Sequence, residues 1–204
     1  MLPVDVILFD VGGVLLTNGW DRRERGEVLD RFGLDREIFE ARHREAYRAW
    51  ERGIVPVETY LDSTVFHESR SFTRQDFFQA VCSGSQLLPQ GAIGILQELS
   101  ASHRYMLGAF NNEPRETQEH RFRQFELSRY FQVTLTSCYL HLRKPDLSFY
   151  RKVLDLLGRP VERILFIDDR KENVRTALEV GMKALQFENA EQLRLDLKTM
   201  GVLE

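Results

Sequence analysis

From residue 89 to residue 204 the chain alternates β-rich runs with helical periodicity, and no other feature limits its possible folds so tightly. The runs at 105–110, 133–136, 164–167 and 183–187 read as strands, because apolar and β-branched residues cluster there between turn signals. Helices lie between them. Residues 89–102 carry Ala92, Leu96 and Leu99 on one face, and another helix begins near Glu113 with Pro114 in its first turn. The segment 146–157 places Tyr150, Val153, Leu154 and Leu157 at i, i+3, i+4 and i+7. Two more helices follow, at 171–180 and from about Ala190. Strands separated by helices pair in parallel through right-handed crossovers, so the expectation is an α/β fold with a doubly wound, Rossmann-like parallel sheet. The N-terminal run 4–9 adds one buried strand, which ends at Asp10 and runs into Gly12 and Gly13. Glycines there let backbone amides approach a ligand that a Cβ would hold off.

Between residues 18 and 85 the texture is charged, arginine-rich and helical. Phe39, His43, Ala46, Tyr47 and Trp50 form one apolar stripe, which Gly53 and Pro56 terminate. The stretch ETYLDSTVF and, after Thr73 as N-cap, RQDFFQAVC read as two further helices. No strand pattern interrupts them. The chain therefore divides into an α/β core of residues 1–17 and 86–204 and an inserted all-helical segment of residues 18–85.

A formal net charge of -3 gives no reason to expect nucleic acid or an anionic membrane as partner. Cys82 and Cys138 lie far apart in no C-x-x-C pattern, which fits a reducing compartment and implies neither disulfide nor zinc. The first residues, MLPVDVILFDVGG, lack a basic stretch and interrupt their apolar run with Asp5 and Asp10, so a signal peptide is not expected and the cytoplasm is the default location.

Ligands of open α/β sheets bind beyond the carboxyl ends of the strands. Four such ends carry unusual polar groups: Asp10, the pair Asn111-Asn112, the turn Arg143-Lys144-Pro145-Asp146, and the pair Asp168-Asp169. Singly, each reads equally as a turn residue or a helix cap. Together, carboxylates from two strands would repel unless a cation sat between them, and an all-oxygen ligand set suits Mg²⁺ rather than zinc. Metal, lysine and carboxylate at one point make an arrangement for a phosphate dianion.

The segments FDVGGVL, FNNE, RKPD and FIDD, in this order and at about this spacing, resemble the four motifs of the haloacid dehalogenase (HAD) superfamily, and the helical insertion resembles its small cap. The resemblance covers essentially the whole chain. It implies a phosphatase with Asp10 as nucleophile and Lys144 pairing with both Asp10 and the substrate phosphate. Mg²⁺ would be held by Asp10, the Gly12 carbonyl and Asp169, with Asp168 holding metal-bound water. Gly12, Gly13, Asn111 and Asn112 would help bind phosphate through backbone or amide groups. The substrate implied is a small phosphomonoester.

Two positions depart from that pattern. Gly12 stands where the usual phosphatase has a second aspartate for acid/base work, worth roughly 10²- to 10⁴-fold, and Glu113 and His141 are the stand-ins that sequence position suggests. Phe110 stands where a Ser or Thr hydroxyl is usual if FNNE is aligned on Asn111; a shifted register would put Asn111 there instead. Two other functions stay open at this point. A metal-independent dehalogenase also lacks the second aspartate, and a phosphate- or protein-binding domain would retain the metal with little catalysis. Trp20 reads either as a ligand-stacking wall or as packing within the helical segment, and Arg22, Arg23 and Arg25 either as an anion lure or as a solvated face.

Overall fold

The computed structural model describes residues 3–204. Five parallel strands, β1 (Val6–Phe9), β2 (Met106–Asn111), β3 (Val133–Thr136), β4 (Ile164–Asp168) and β5 (Lys183–Gln186), form one sheet in the order β3-β2-β1-β4-β5. This is the expected doubly wound α/β sheet. Successive side chains of a strand point to opposite faces, and the apolar residues divide accordingly. Ile7, Phe9, Leu165 and Ile167 pack under α5 (Ile93–Ser102) and α10 (Ala190–Thr199), whereas Val6, Leu8, Ile164 and Phe166 face α8 (Leu147–Leu157) and α9 (Lys171–Glu179). β1 lies at the centre, where strand order reverses between β2 and β4. At that switch point the loops diverge and leave a crevice.

Element edges differ from expectation in ways that have local causes. β2 continues one residue past Phe110, where Asn111 pairs with Thr136 of β3; its amide is also satisfied sideways, donating to Gln118 Oε1 and accepting from Thr136 Oγ1, both at 2.8 Å. Residues 89–91 form a turn rather than helix, with the Gly91 N–H bonded to Leu88 O. Pro114 and Asp146 sit at N-caps, just outside α6 (Arg115–Gln124) and α8. The single-turn helix α7 (Ser137–Leu140), too short for a periodic signature, was not foreseen.

Residues 22–83 build four helices, α1 (Arg22–Arg31), α2 (Arg36–Glu51), α3 (Val57–Thr64) and α4 (Arg74–Ser83). They share an apolar cluster of their own, with Trp20, Phe39, Trp50, Tyr60 and Phe77 all buried in it. Trp20 donates to the Tyr60 hydroxyl at 2.8 Å and meets Phe39 and Phe77 edge-on, so its ring packs among the helices. His43 lies 2.8 Å from the same hydroxyl, and burial drives its pKa down to about 3. This segment docks on the sheet's carboxyl edge through polar contacts. Trp50 Nε1 donates to Glu116, Ser137 Oγ to the Glu51 carbonyl and Arg143 Nε to the Glu51 carboxylate, at 2.7–2.8 Å. Gly53 (φ 65°) passes so close to the Cys138 carbonyl that a Cβ would lie 2.2 Å from its oxygen.

At the start of α1, Asp21 caps the Arg23 N–H, and Glu24 sits three residues on in a capping-box spacing. Burial, reinforced by the Asp21 carboxylate, pushes the Glu24 carboxyl up to about 7. The folded state therefore favours protonated Glu24. Its contribution to stability is complete below the ordinary carboxylate range and is lost as pH rises through about 7. Glu24→Gln should flatten this part of the melting temperature's pH dependence between about pH 5 and 8, measured by circular dichroism; an unchanged slope would rule the pair out as its source.

Candidate active site

The carboxyl ends of β1, β2 and β4 converge on Lys144, which the turn after α7 brings in from the β3 side. Its Nζ lies 2.5 Å from Asp168 Oδ2, 3.2 Å from Asp10 Oδ1 and 2.8 Å from the Phe110 carbonyl. It is almost wholly buried, over the rings of Phe110 and Phe166. Burial alone would push the ammonium's pKa down, and Asp10 with Asp168 more than reverses this, holding it above its ordinary value. Asn112 fixes the backbone of Lys144 from both sides, accepting from its N–H and donating to its carbonyl at 2.8 and 2.9 Å.

The three aspartates are close together and differ in what surrounds them. One oxygen from each of Asp10, Asp168 and Asp169 falls within a 4.8 Å set. Asp168 is saturated: beside Lys144 it accepts from the Arg170 N–H at 2.8 Å and from Asn173 Nδ2 on both oxygens at 3.0 Å. Asp169 presents a buried Oδ1 with no hydrogen-bond partner among the described residues. Asp10 receives the Val11 N–H at 2.8 Å. Burial, opposed by Lys144 and reinforced by Asp168 and Asp169, pushes its carboxyl up to about 8. Burial and then Asp168 also raise Asp169. Anionic oxygens this close, with one left unsatisfied, are a cluster short of positive charge. A hard divalent cation such as Mg²⁺ fits that donor set. The Gly12 carbonyl accepts no backbone hydrogen bond among the described residues.

Around this point lies a cleft of about 360 Å³, bounded by the sheet edge and the helical segment. Asp10, Gly12, Asn112 and Lys144 line it, as do Asn18, Tyr47, Glu51 and Arg25 from the segment's side. Asn111 does not, since its amide is spent on Gln118 and Thr136. Gly13 lies under Asp169: at φ 75° its absent Cβ would come within 2.4 Å of Asp169 Oδ2. Glu113 reaches the cleft but is tied to the buried Arg121 at 2.5 Å. His141 points elsewhere, onto the Arg52 carbonyl. Arg25 is buried against Glu40 and the Trp20 carbonyl, while Arg22 and Arg23 are exposed. Arg121, Glu51 and Asn173 were not foreseen. Asn173 was within reach of sequence reasoning, because an amide in the first turn of a helix, five residues past a strand-end Asp, faces back toward that carboxylate. The other two take part only through tertiary contacts.

The family model of haloacid dehalogenase-like hydrolases matches residues 4–181. The chain belongs to this family. A chloroplast flavin mononucleotide hydrolase of Arabidopsis thaliana is 32% identical over 97% of this chain and 78% of its own. A phosphoglycolate phosphatase of Photorhabdus laumondii is 24% identical over 87% of this chain and 77% of its own. Among solved structures, a HAD family enzyme from Bacteroides thetaiotaomicron, in complex with magnesium and inorganic phosphate, superimposes with a TM-score of 0.74 at 19% identity, covering 91% of this chain and 95% of that one. This HAD-like protein is thus an enzyme, a hydrolase of the phosphatase type. No helix among its described residues is long and apolar enough to cross a membrane.

Proposed function

We propose that the protein hydrolyses small phosphomonoesters with Mg²⁺ through an aspartyl-phosphate on Asp10. The observation that carries this reading is the juxtaposition of Asp10 with a buried lysine 3.2 Å away and with an orphaned carboxylate oxygen on Asp169. Asp10, Asp169 and the Gly12 carbonyl would hold the metal, with the saturated Asp168 behind them. When bound, Mg²⁺ supplies the positive charge that lets one anion approach another. Asp10 attacks phosphorus and the P–O bond to the leaving group breaks. Lys144 balances charge on the phosphoryl oxygens, with backbone amides near Gly13 and Asn112 beside it. Water then attacks phosphorus, breaks the P–O bond to Asp10 and releases phosphate. The segment 18–85 serves as a cap over this chemistry that restricts, without abolishing, the access of water. The free, buried Cys82 and Cys138 suit the cytoplasmic location we assign it.

The cleft also bears on the substrate. It is small and rimmed by charge, with Arg25, Arg121, Arg143 and Arg170 around it. Trp20 borders the cleft, but its N–H is bound to the Tyr60 hydroxyl and its ring is wedged against Phe39 and Phe77, and Trp50 lies inside the same cluster. A compact, hydrophilic leaving group such as a sugar or hydroxy acid suits it better than a flavin ring. The test is turnover of p-nitrophenyl phosphate with Mg²⁺ and with EDTA, followed by flavin mononucleotide, phosphoglycolate and sugar phosphates. Mg²⁺-dependent phosphate release supports the reading. Halide release from a 2-haloacid in EDTA, with no phosphate release, would replace it with the dehalogenase.

Gly13→Ala tests the metal site independently of turnover. The methyl group meets Asp169 at a φ that non-glycine residues rarely adopt, which costs about 1–3 kcal/mol. We expect a lower melting temperature and loss of most of the upward shift that Mg²⁺ gives the wild type; an undiminished Mg²⁺ shift would argue against Asp169 as a ligand.

A further inference from the structure

If Asp10 attacks phosphorus, the departing oxygen leaves on the far side and needs a hydrogen-bonding partner there. Gly12, two positions on and lining the cleft, has no side chain to supply one. The space over Gly12 is nevertheless occupied by a polar group. A Cβ at position 12 would lie 3.0 Å from Asn18 Oδ1 and 3.8 Å from its Cγ. Asn18 lines the cleft together with Asp10 and Lys144, and its amide makes no hydrogen bond within the protein among the described residues.

The backbone on either side of Asn18 is held firmly. The Thr17 carbonyl accepts from Arg121 Nη2 at 2.5 Å, and Arg121 is in turn anchored by Glu113 at 2.5 Å. The Thr17 N–H bonds Gln86 O at 2.9 Å, and the Asn18 carbonyl accepts from the Trp20 N–H at 2.8 Å. Arg121, one of the most deeply buried charges in the molecule, thus acts as a strut for the residue before Asn18. A polar side chain held at the cleft by a pinned backbone, and unused by the protein, is preorganised for something that enters.

We propose that Asn18 is a catalytic residue of the phosphatase reaction, and the proposal rests on that reading. Its Nδ2 donates to the leaving oxygen in the first step, and its Oδ1 accepts from the attacking water in the second. An amide transfers no proton at neutral pH. The leaving oxygen therefore takes its proton from solvent as the P–O bond breaks, and the attacking water gives its proton to solvent as the aspartyl-phosphate is cleaved. An amide also avoids adding a fourth carboxylate beside Asp10, Asp168 and Asp169, which already repel one another. The approach to Gly12 is tight enough that a Cβ at position 12 would make the Asn18 amide give by a few tenths of an ångström.

The test is steady-state kinetics of Asn18→Ala and Asn18→Asp on p-nitrophenyl phosphate with Mg²⁺, with Asp10→Asn as control and melting curves for each. Asn18→Ala should lower kcat about tenfold or more, with KM within about twofold and the Mg²⁺ melting shift intact. Asn18→Asp installs an acid at the same place. Its kcat should return toward or above the wild-type value at low pH, then fall as pH rises through the new carboxyl's pKa, a limb absent from the wild type. A wild-type kcat in Asn18→Ala, or an Asn18→Asp profile parallel to the wild type, would overturn the proposal while leaving the phosphatase intact. If turnover survives both EDTA and Asp10→Asn, the phosphatase reading fails and the role of Asn18 fails with it.

Discussion

Asp10→Asn is expected to reduce phosphate release by roughly 10⁴- to 10⁶-fold, the range seen when a covalent nucleophile is removed. The amide is nearly isosteric and can still accept the Val11 N–H, so the loss would report chemistry rather than fold. The same substitution should stabilise the metal-free protein. Burial and its anionic neighbours push Asp10 up to about 8, so the folded state favours the protonated form. In EDTA, the stability that Asp10 contributes is therefore greatest at acid pH and is lost as pH rises from the ordinary carboxylate range through about 8. Asn has no such titration. Melting curves in EDTA from pH 5 to 9 should fall more steeply for wild type than for Asp10→Asn, and Mg²⁺ should remove most of the difference. Equal slopes would mean that the cluster is not short of cationic charge, and would weaken the metal assignment.

Lys144→Met should be the most damaging of these substitutions to stability. Methionine roughly matches the stem in volume but leaves Asp168, fully buried, facing Asp10 without the ammonium that lies 2.5 Å from it. Breaking one side of a buried ion pair costs about 3–5 kcal/mol, or roughly 10 °C in melting temperature for a domain of this size. The Asn173 amide and Arg170 N–H still hold Asp168 and keep the cost from rising further. Activity should disappear, since the one ammonium held against Asp10 would be gone and the rim arginines are tied elsewhere or set back from it. Lys144→Arg should not restore it, because the pocket between the Phe110 and Phe166 rings fits a compact ammonium. Chemical denaturation gives the stability change; a loss below about 1 kcal/mol would show that the lysine does not offset the burial of Asp168.

What the amino-acid order determined by itself is local and periodic. Alternation of strand and helix dictates parallel pairing, because a chain that must cross over between strands has one favoured hand. The all-apolar runs Val6–Phe9 and Ile164–Ile167 mark strands buried on both faces, and the polar residues that end them mark where a ligand could be met. Boundaries were less legible. Asn111 extends β2 because it pairs with Thr136 of β3, 25 residues on, whose hydroxyl also donates to its amide oxygen.

Tertiary structure decided what each polar group does. Asp168 and Asp169 are adjacent and chemically identical in the sequence. Lys144, Asn173 and the Arg170 N–H saturate one of them and leave the other with an orphaned oxygen; the last two are local to the strand end, and Lys144 arrives only when the sheet closes. Trp20 could have faced a ligand or a core until the Tyr60 hydroxyl claimed its N–H. Its place just after the first motif puts Asn18 near the site entrance, and its amide meets the open face of Gly12 because Arg121 holds the preceding turn from across the fold. Periodicity records which face of an element is buried. It carries no information about which distant side chain competes for a given lone pair, and at this site that competition decides which groups are left free to act.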